Sequence, residues 1–100
     1  MAELIPYIAC QEIALGAGEE YAIPDYSGAV FISDHTSIGG IAGWIVYSYA
    51  SISVIGTQIE AKSTGTSHVL VSFNDSKGLV IKNNTSTNFS RLNIFKIRPV

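Results

Sequence analysis

Charge is what this sequence has least of. Only six Lys and Arg and eight Asp and Glu occur in 100 residues, and the cations are scattered. Without a basic run there is no electrostatic footprint for a phosphate backbone, so nucleic acid is not expected as a partner. Cysteine is nearly absent too. Cys10 alone excludes an intrachain disulfide, and it reads as a small buried or edge residue rather than a redox centre. Helix signals are scarce: in "ACQEIALGAGEEYAI", Gly16 and Gly18 interrupt the one tempting segment, and Ile13 and Leu15 alternate as in a strand. The first residues carry Glu3 instead of a cationic start, and Pro6 breaks their apolar run, so no secretory signal is expected there.

What remains is apolar and β-branched. Residues 38 to 56, "IGGIAGWIVYSYASISVIG", carry no charge at all. Their length would span a bilayer. Their glycines, serines and tyrosines, with five Ile and two Val, suit strands better than a lipid-facing helix, and no membrane insertion is expected. Strand patterns fall at 8–15, 19–23, 28–34, 41–49, 51–56, 57–63, 67–75, 78–83 and 90–99, separated by Gly, Asn, Asp, Ser and Pro. This rhythm predicts one all-β domain over residues 1–100: an antiparallel β-sandwich, jelly-roll-like, of about eight short strands. Residues 1–25 leave room for an attachment or strand-exchange segment. "SFNDSKG" predicts a hairpin turn with Gly78 at a position that tolerates positive φ.

Alternation puts Ala42, Trp44 and Val46 on one side of the fourth strand and Ile41, Gly43, Ile45 and Tyr47 on the other. Both sides are apolar, whereas a sandwich needs only one apolar face per strand. The second face implies another buried surface, most simply another copy of the chain. Trp44 is read as core. Ile41, Ile45, Phe95 and Ile97 are the expected oligomer contacts. Tyr47 and Tyr49, on one face, are candidates for ligand or receptor contact, with His35 and Asn88 in the polar loops. Loops 33–40, 63–67 and 83–90 are expected to face outward.

The patterns that would carry chemistry are weak. Asp34, His35 and a serine suggest a triad, but neighbouring Asp and His in a turn aim poorly at each other and no nucleophile elbow is present. His35 and His68, with Asp34 or Asp75, lack any metal-ligand spacing. Glu19, Glu20 and Glu60 read as surface carboxylates rather than an acid–base pair. "GGIAG" lacks the Lys-Ser/Thr of a phosphate loop. Sequons at Asn74, Asn83, Asn84 and Asn88 read as a Thr/Asn-rich β surface. Neither an enzyme nor a cofactor is expected.

"SGAVFISD", a Gly-Gly turn into "IAGWIVY", then "HVLVSFNDSKGLVIKNNTS" and a closing "RLNIFKIRPV" are similar, over residues 26 to 100, to C-terminal modules of phage and prophage tail-fibre and head-fibre proteins from gut bacteria. The resemblance implies a non-catalytic virion protein: a β-sandwich homotrimer in a fibre tip or fibre module. Its partners would be other virion proteins and a host-surface glycan or protein. It would be assembled in the bacterial cytoplasm and then be extracellular. A monomeric carbohydrate-binding module and a capsid decoration protein are the alternatives.

Overall fold

The structure is a computed structural model that describes residues 7–34 and 40–98. Nine strands form in chain order: β1 (Tyr7–Leu15), β2 (Glu20–Ile23), β3 (Ser27–Asp34), β4 (Ala42–Ser48), β5 (Ser51–Thr57), β6 (Ile59–Glu60), β7 (Val69–Asn74), β8 (Gly78–Asn83) and β9 (Phe89–Arg98). No helix occurs among the described residues. The strands make two sheets, one ordered β1-β9-β3-β4-β5 and the other β2-β8-β7-β6. All neighbours are antiparallel except the short β6–β7 pair.

The expected all-β sandwich is therefore what the chain forms. Its first and last strands make the jelly-roll element: β1 pairs with β9 in one sheet and β2 with β8 in the other, an antiparallel ribbon that passes from sheet to sheet. Between these ends the path is simpler, with β3–β4–β5 a meander in one sheet and β6, β7 and β8 completing the other.

The sheets meet through one apolar layer. Val30, Ile32, Ile45, Tyr47, Leu92 and Ile94 come from the five-stranded sheet, and Ile23, Val69, Val71, Leu79 and Ile81 from the four-stranded one. Strand periodicity assigns these residues, since alternate positions point the same way. Lys96 shares the inward phase of β9 with Leu92 and Ile94, and it forms an ion pair with Asp25 where the sheets open. Its charge is compensated before it reaches the apolar layer.

Two ends follow from the strand directions. One gathers loops 16–19, 57–68 and 83–88. The other carries segments 24–26, 49–50 and 75–77. Buried Asn83 ties the first end together: its Nδ2 donates to the carbonyls of Leu15 (3.0 Å) and Thr87 (2.9 Å), and its Oδ1 accepts from the Thr85 amide (3.0 Å) and hydroxyl (2.7 Å). A polar group with no water access is tolerated because its hydrogen bonds are made inside the protein.

Candidate functional site

The two sheets show very different outer faces. On the four-stranded sheet, one cross-strand row reads Glu20, Lys82, Leu70, Glu60. Opposite charges sit side by side, and Leu70 is buried, with Gly65 of the 61–66 loop packed close to it. That is an ordinary solvated face.

The five-stranded sheet is the exception. Its register sets Cys10, Phe95, Phe31, Trp44 and Ile55 in one row across all five strands. The next row, counted from β9, is Ile97, Ala29, Val46 and Ser53. None of these nine residues is charged. Phe31 packs at a tilt against Trp44 and Phe95, at centroid distances of 5.2 and 6.1 Å. Trp44 is 40% exposed, Val46 48% and Ile55 72%. Phe31, Trp44, Phe95 and Ile97 line a shallow depression of about 280 Å³ with apolar surface only. Isolated exposed apolar residues are normal on a protein, but contiguous rows of them mark a contact surface.

The expected site residues separate on this frame. Phe95 and Ile97 stand on the outer face. Ile41 and Ile45 do not: they are 2% and 0% exposed inside the chain's own core, so neither offers surface to a second copy. The alternation in β4 is as expected, but the sandwich takes its Ile41–Tyr47 side inward and leaves Trp44 outside. Trp44 is therefore not a core residue. Periodicity defines two faces and says nothing of which one turns inward when both are apolar.

Tyr47 and Tyr49 do not share a face. Tyr47 is buried, its hydroxyl donates to the Asp25 carbonyl (3.3 Å), and burial pushes its phenol pKa up. Tyr49 lies in the two-residue turn after β4 at φ 52°, which ends the alternation. It is 60% exposed and packs edge-on against Tyr26 and Phe73 at 5.7 and 5.8 Å. The paired platform is absent. His35 lies outside the described residues. Asn88 is exposed, and its Oδ1 accepts from the Ala17 amide (3.0 Å), so it braces the neighbouring loop.

Of the loops expected to face outward, residues 35–39 lie outside the described residues. Loop 63–67 is mostly exposed, but segment 83–90 is anchored at both ends by buried Asn83 and Phe89. All four sequon asparagines have structural side-chain bonds. Asn74 Oδ1 accepts from the amides of Ser76 (2.8 Å) and Lys77 (3.1 Å), and Asn84 Nδ2 donates to the carbonyls of Gly65 (2.9 Å) and Ser67 (3.0 Å). Short amide side chains hold turns in this way.

The carboxylates are also spoken for. Glu19 accepts from the Gly16 amide (2.6 Å), and Glu20 faces Lys82 across the sheet. Glu60 accepts from the amides of Thr66 (3.1 Å) and Ser67 (2.9 Å). These bonds to Ser67 and Thr66, with a smaller contribution from Lys62, hold its pKa below the usual range. Glu20 and Glu60 are three strand spacings apart, about 14 Å, beyond the gap two glycosidase carboxyls use. Among the described residues no three His, Cys, Asp or Glu side chains gather as metal ligands. Among them too, no helix is long and apolar enough to cross a membrane.

A second depression, about 260 Å³, lies where the sheets part, lined by Gln11, Tyr21, Ile23, Pro24, Asp25, Ile94 and Lys96. Its polar groups already satisfy one another through the Asp25–Lys96 pair and a Tyr21 hydroxyl to Gln11 Oε1 bond (2.9 Å). The outer face of the five-stranded sheet, whose two central rows carry no charge while Glu12 and Arg91 stand toward one end of it, is the stronger candidate. Family models, curated proteins and solved structures offer no match to this chain.

Proposed function

We propose that this chain is a non-catalytic structural module of a phage virion, in a fibre tip or a head or tail fibre, that works as a homotrimer. One observation carries the assembly part: the uncharged, largely apolar rows across the outer face of the five-stranded sheet. The virion setting rests on the resemblance of residues 26–100 to fibre modules.

Area supports the reading. Five strands of about seven residues give a face of about 24 by 23 Å, or about 550 Å² in projection. Accessible area exceeds projected area, so this approaches the roughly 800 Å² each partner gives to a standard interface. Neutrality supports it as well, because the two uncharged rows bring no like charges together when they pack on a copy, and Glu12 and Arg91 stand beside them toward one end of the sheet. Three copies with these faces turned to a common axis bury Phe31, Trp44, Phe95 and Ile97 together. The loops at the two ends stay outside, free to meet other virion proteins or a host-surface glycan or protein.

Light scattering on a size-exclusion column over a dilution series tests this. The expected mass is a multiple of three chains. A single chain at every concentration overturns self-assembly and turns attention to the monomeric carbohydrate-binding alternative. Two chains at every concentration removes the three-fold contact.

A further inference from the structure

The free edge of β5 invites a different contact. Four strands end the two sheets, and three of them are guarded. β2 has four residues and runs into Pro24. β6 has two residues and carries Glu60. β1 carries Glu12 and has an irregular register between Ile13 and Leu15. Short length, proline, charge and bulges are the usual devices that stop an edge from pairing. β5, "SISVIGT", has none of them over seven residues.

The register shows which backbone groups of β5 are open. Ser48 and Ser51 close a two-residue turn, so they are a hydrogen-bonded pair, and bonded and non-bonded pairs then alternate. Two bonds fix the phase independently. The Tyr49 amide donates to Tyr26 O (2.7 Å) and Asp34 N donates to Ile41 O (3.1 Å), so odd-numbered residues of this segment bond toward β3 and even-numbered ones toward β5. On β5, Ser51, Ser53, Ile55 and Thr57 therefore bond to β4. The amides and carbonyls of Ile52, Val54 and Gly56 point away from the sheet, and they have no partner among the described residues.

We propose that β5 pairs antiparallel with β5 of a second copy across a two-fold axis. The open groups set the register. Val54 meets the second copy's Val54, and Ile52 meets its Gly56 on either side, giving six backbone hydrogen bonds. A one-residue slip places open groups against closed ones. A two-residue slip loses two of the six bonds. In the full register, Ile55 lies opposite Ser53 of the second copy on the outer face. The row ending in Trp44 and Ile55 then continues into Ser53 and Val46 of the neighbour. Ile55, the most exposed large apolar residue described, is the one this seam covers. Antiparallel pairing is the more stable kind and needs no connection between copies.

The seam deepens the self-assembly reading but uses an edge, not the face, and leaves the face open. It doubles whatever assembly the face makes. Hydrogen exchange read residue by residue by NMR separates the two contacts, since a face contact supplies no backbone partner to an edge amide. The Trp44→Glu variant, with the face charged, is the sample to use. The expected result is a mass of two chains, with slow exchange at Ile52, Val54 and Gly56 that is lost on dilution. Ser53, Ile55 and Thr57 stay protected throughout. Adding Ser53→Lys, an exposed edge charge, should return the mass to one chain, with the melting temperature unchanged only at dilutions where the Trp44→Glu chain is already single. A one-chain mass with free exchange at the three amides overturns the seam and leaves the face reading standing. A wild-type monomer at every concentration overturns both.

Discussion

Phe31 stands directly opposite Trp44 on the solvent side of the five-stranded sheet, ring centroids 5.2 Å apart and planes tilted by 60°. Such a ring pair contributes about 1 kcal/mol beyond its area, a modest sum in a monomer that leaves Trp44 40% exposed. The pair therefore matters more to assembly than to folding. Trp44→Glu or Val46→Glu should lower the mass threefold while each chain keeps its β spectrum and loses only about 1–2 kcal/mol of stability. Ile45→Glu should behave differently. It puts a carboxylate into the core and should unfold the chain. Light scattering and circular dichroism on the three variants check both outcomes. Equal loss of fold in all three would show that the outer rows serve the monomer only.

Gly78 opens β8 at φ 90°, and a methyl there would press on the Ile23 carbonyl and approach the Asp25 carbonyl to 2.9 Å. Backbone strain and steric overlap act together, so Gly78→Ala should cost more than about 2 kcal/mol. Asn at the same position relieves part of the strain and none of the overlap, so Gly78→Asn should be scarcely better. Urea titrations of the two variants measure this. A near-neutral Gly78→Ala would mean that the turn relaxes.

Asn83 is the internal tie of the opposite end. Replacing it by Ala leaves the Leu15 and Thr87 carbonyls and the Thr85 amide without this partner. Each loss is modest where water enters and larger where it does not. The total should be about 2–4 kcal/mol. Loops 16–19 and 83–88 should then lose exchange protection before the sheets do. Asn83→Asp tests the donors separately, because a carboxylate still accepts from Thr85 but repels the two carbonyls. It should be at least as damaging as Ala.

The turn at Gly78 was legible because turn chemistry is local: "NDSKG" between two alternating runs marks a hairpin whose glycine tolerates positive φ, and Gly78 adopts it. Most strands were legible for the same reason; the one expected over 57–63 was not, because only Ile59 and Glu60 pair there, parallel to β7, and the chain bends after them. The role of Asn83 was not, since its partners Leu15 and Thr87 belong to different segments and a sequon pattern hides a structural amide. Sidedness was illegible in a more instructive way. β4 presents Ile45 and Tyr47 on one side and Trp44 and Val46 on the other, and hydrophobicity alone does not rank them. What decided it was the company each face keeps: Ile45 meets Val30 and Val54 across neighbouring strands, all part of the inner layer, while Trp44 meets Phe31 and Ile55. That information appears only with strand order. Tyr49 fell outside the pattern because a turn, not a strand, holds it.

Glu60 provides the pH signature. The backbone amide of Ser67, then the Ser67 side chain and the Thr66 amide, hold its carboxylate and keep its pKa below the ordinary 4.5. Because the folded value lies under the unfolded one, the charged form is the stabilising one. Its contribution is complete above about pH 5. It declines as pH falls below the unfolded value and vanishes once the pH drops through the folded pKa. The Lys62 ammonium, 3.7 Å away and largely exposed, adds little and is screened by salt. Glu60→Gln keeps an acceptor oxygen for the Ser67 and Thr66 amides but removes the charge. The variant should melt below the wild type near pH 7, and the gap should close as the pH falls below the ordinary 4.5 and through the lowered folded value, with little change on adding salt. A gap that stayed constant with pH would show that the 61–67 loop is held by shape and backbone bonds alone, and that the charge on Glu60 adds nothing to it.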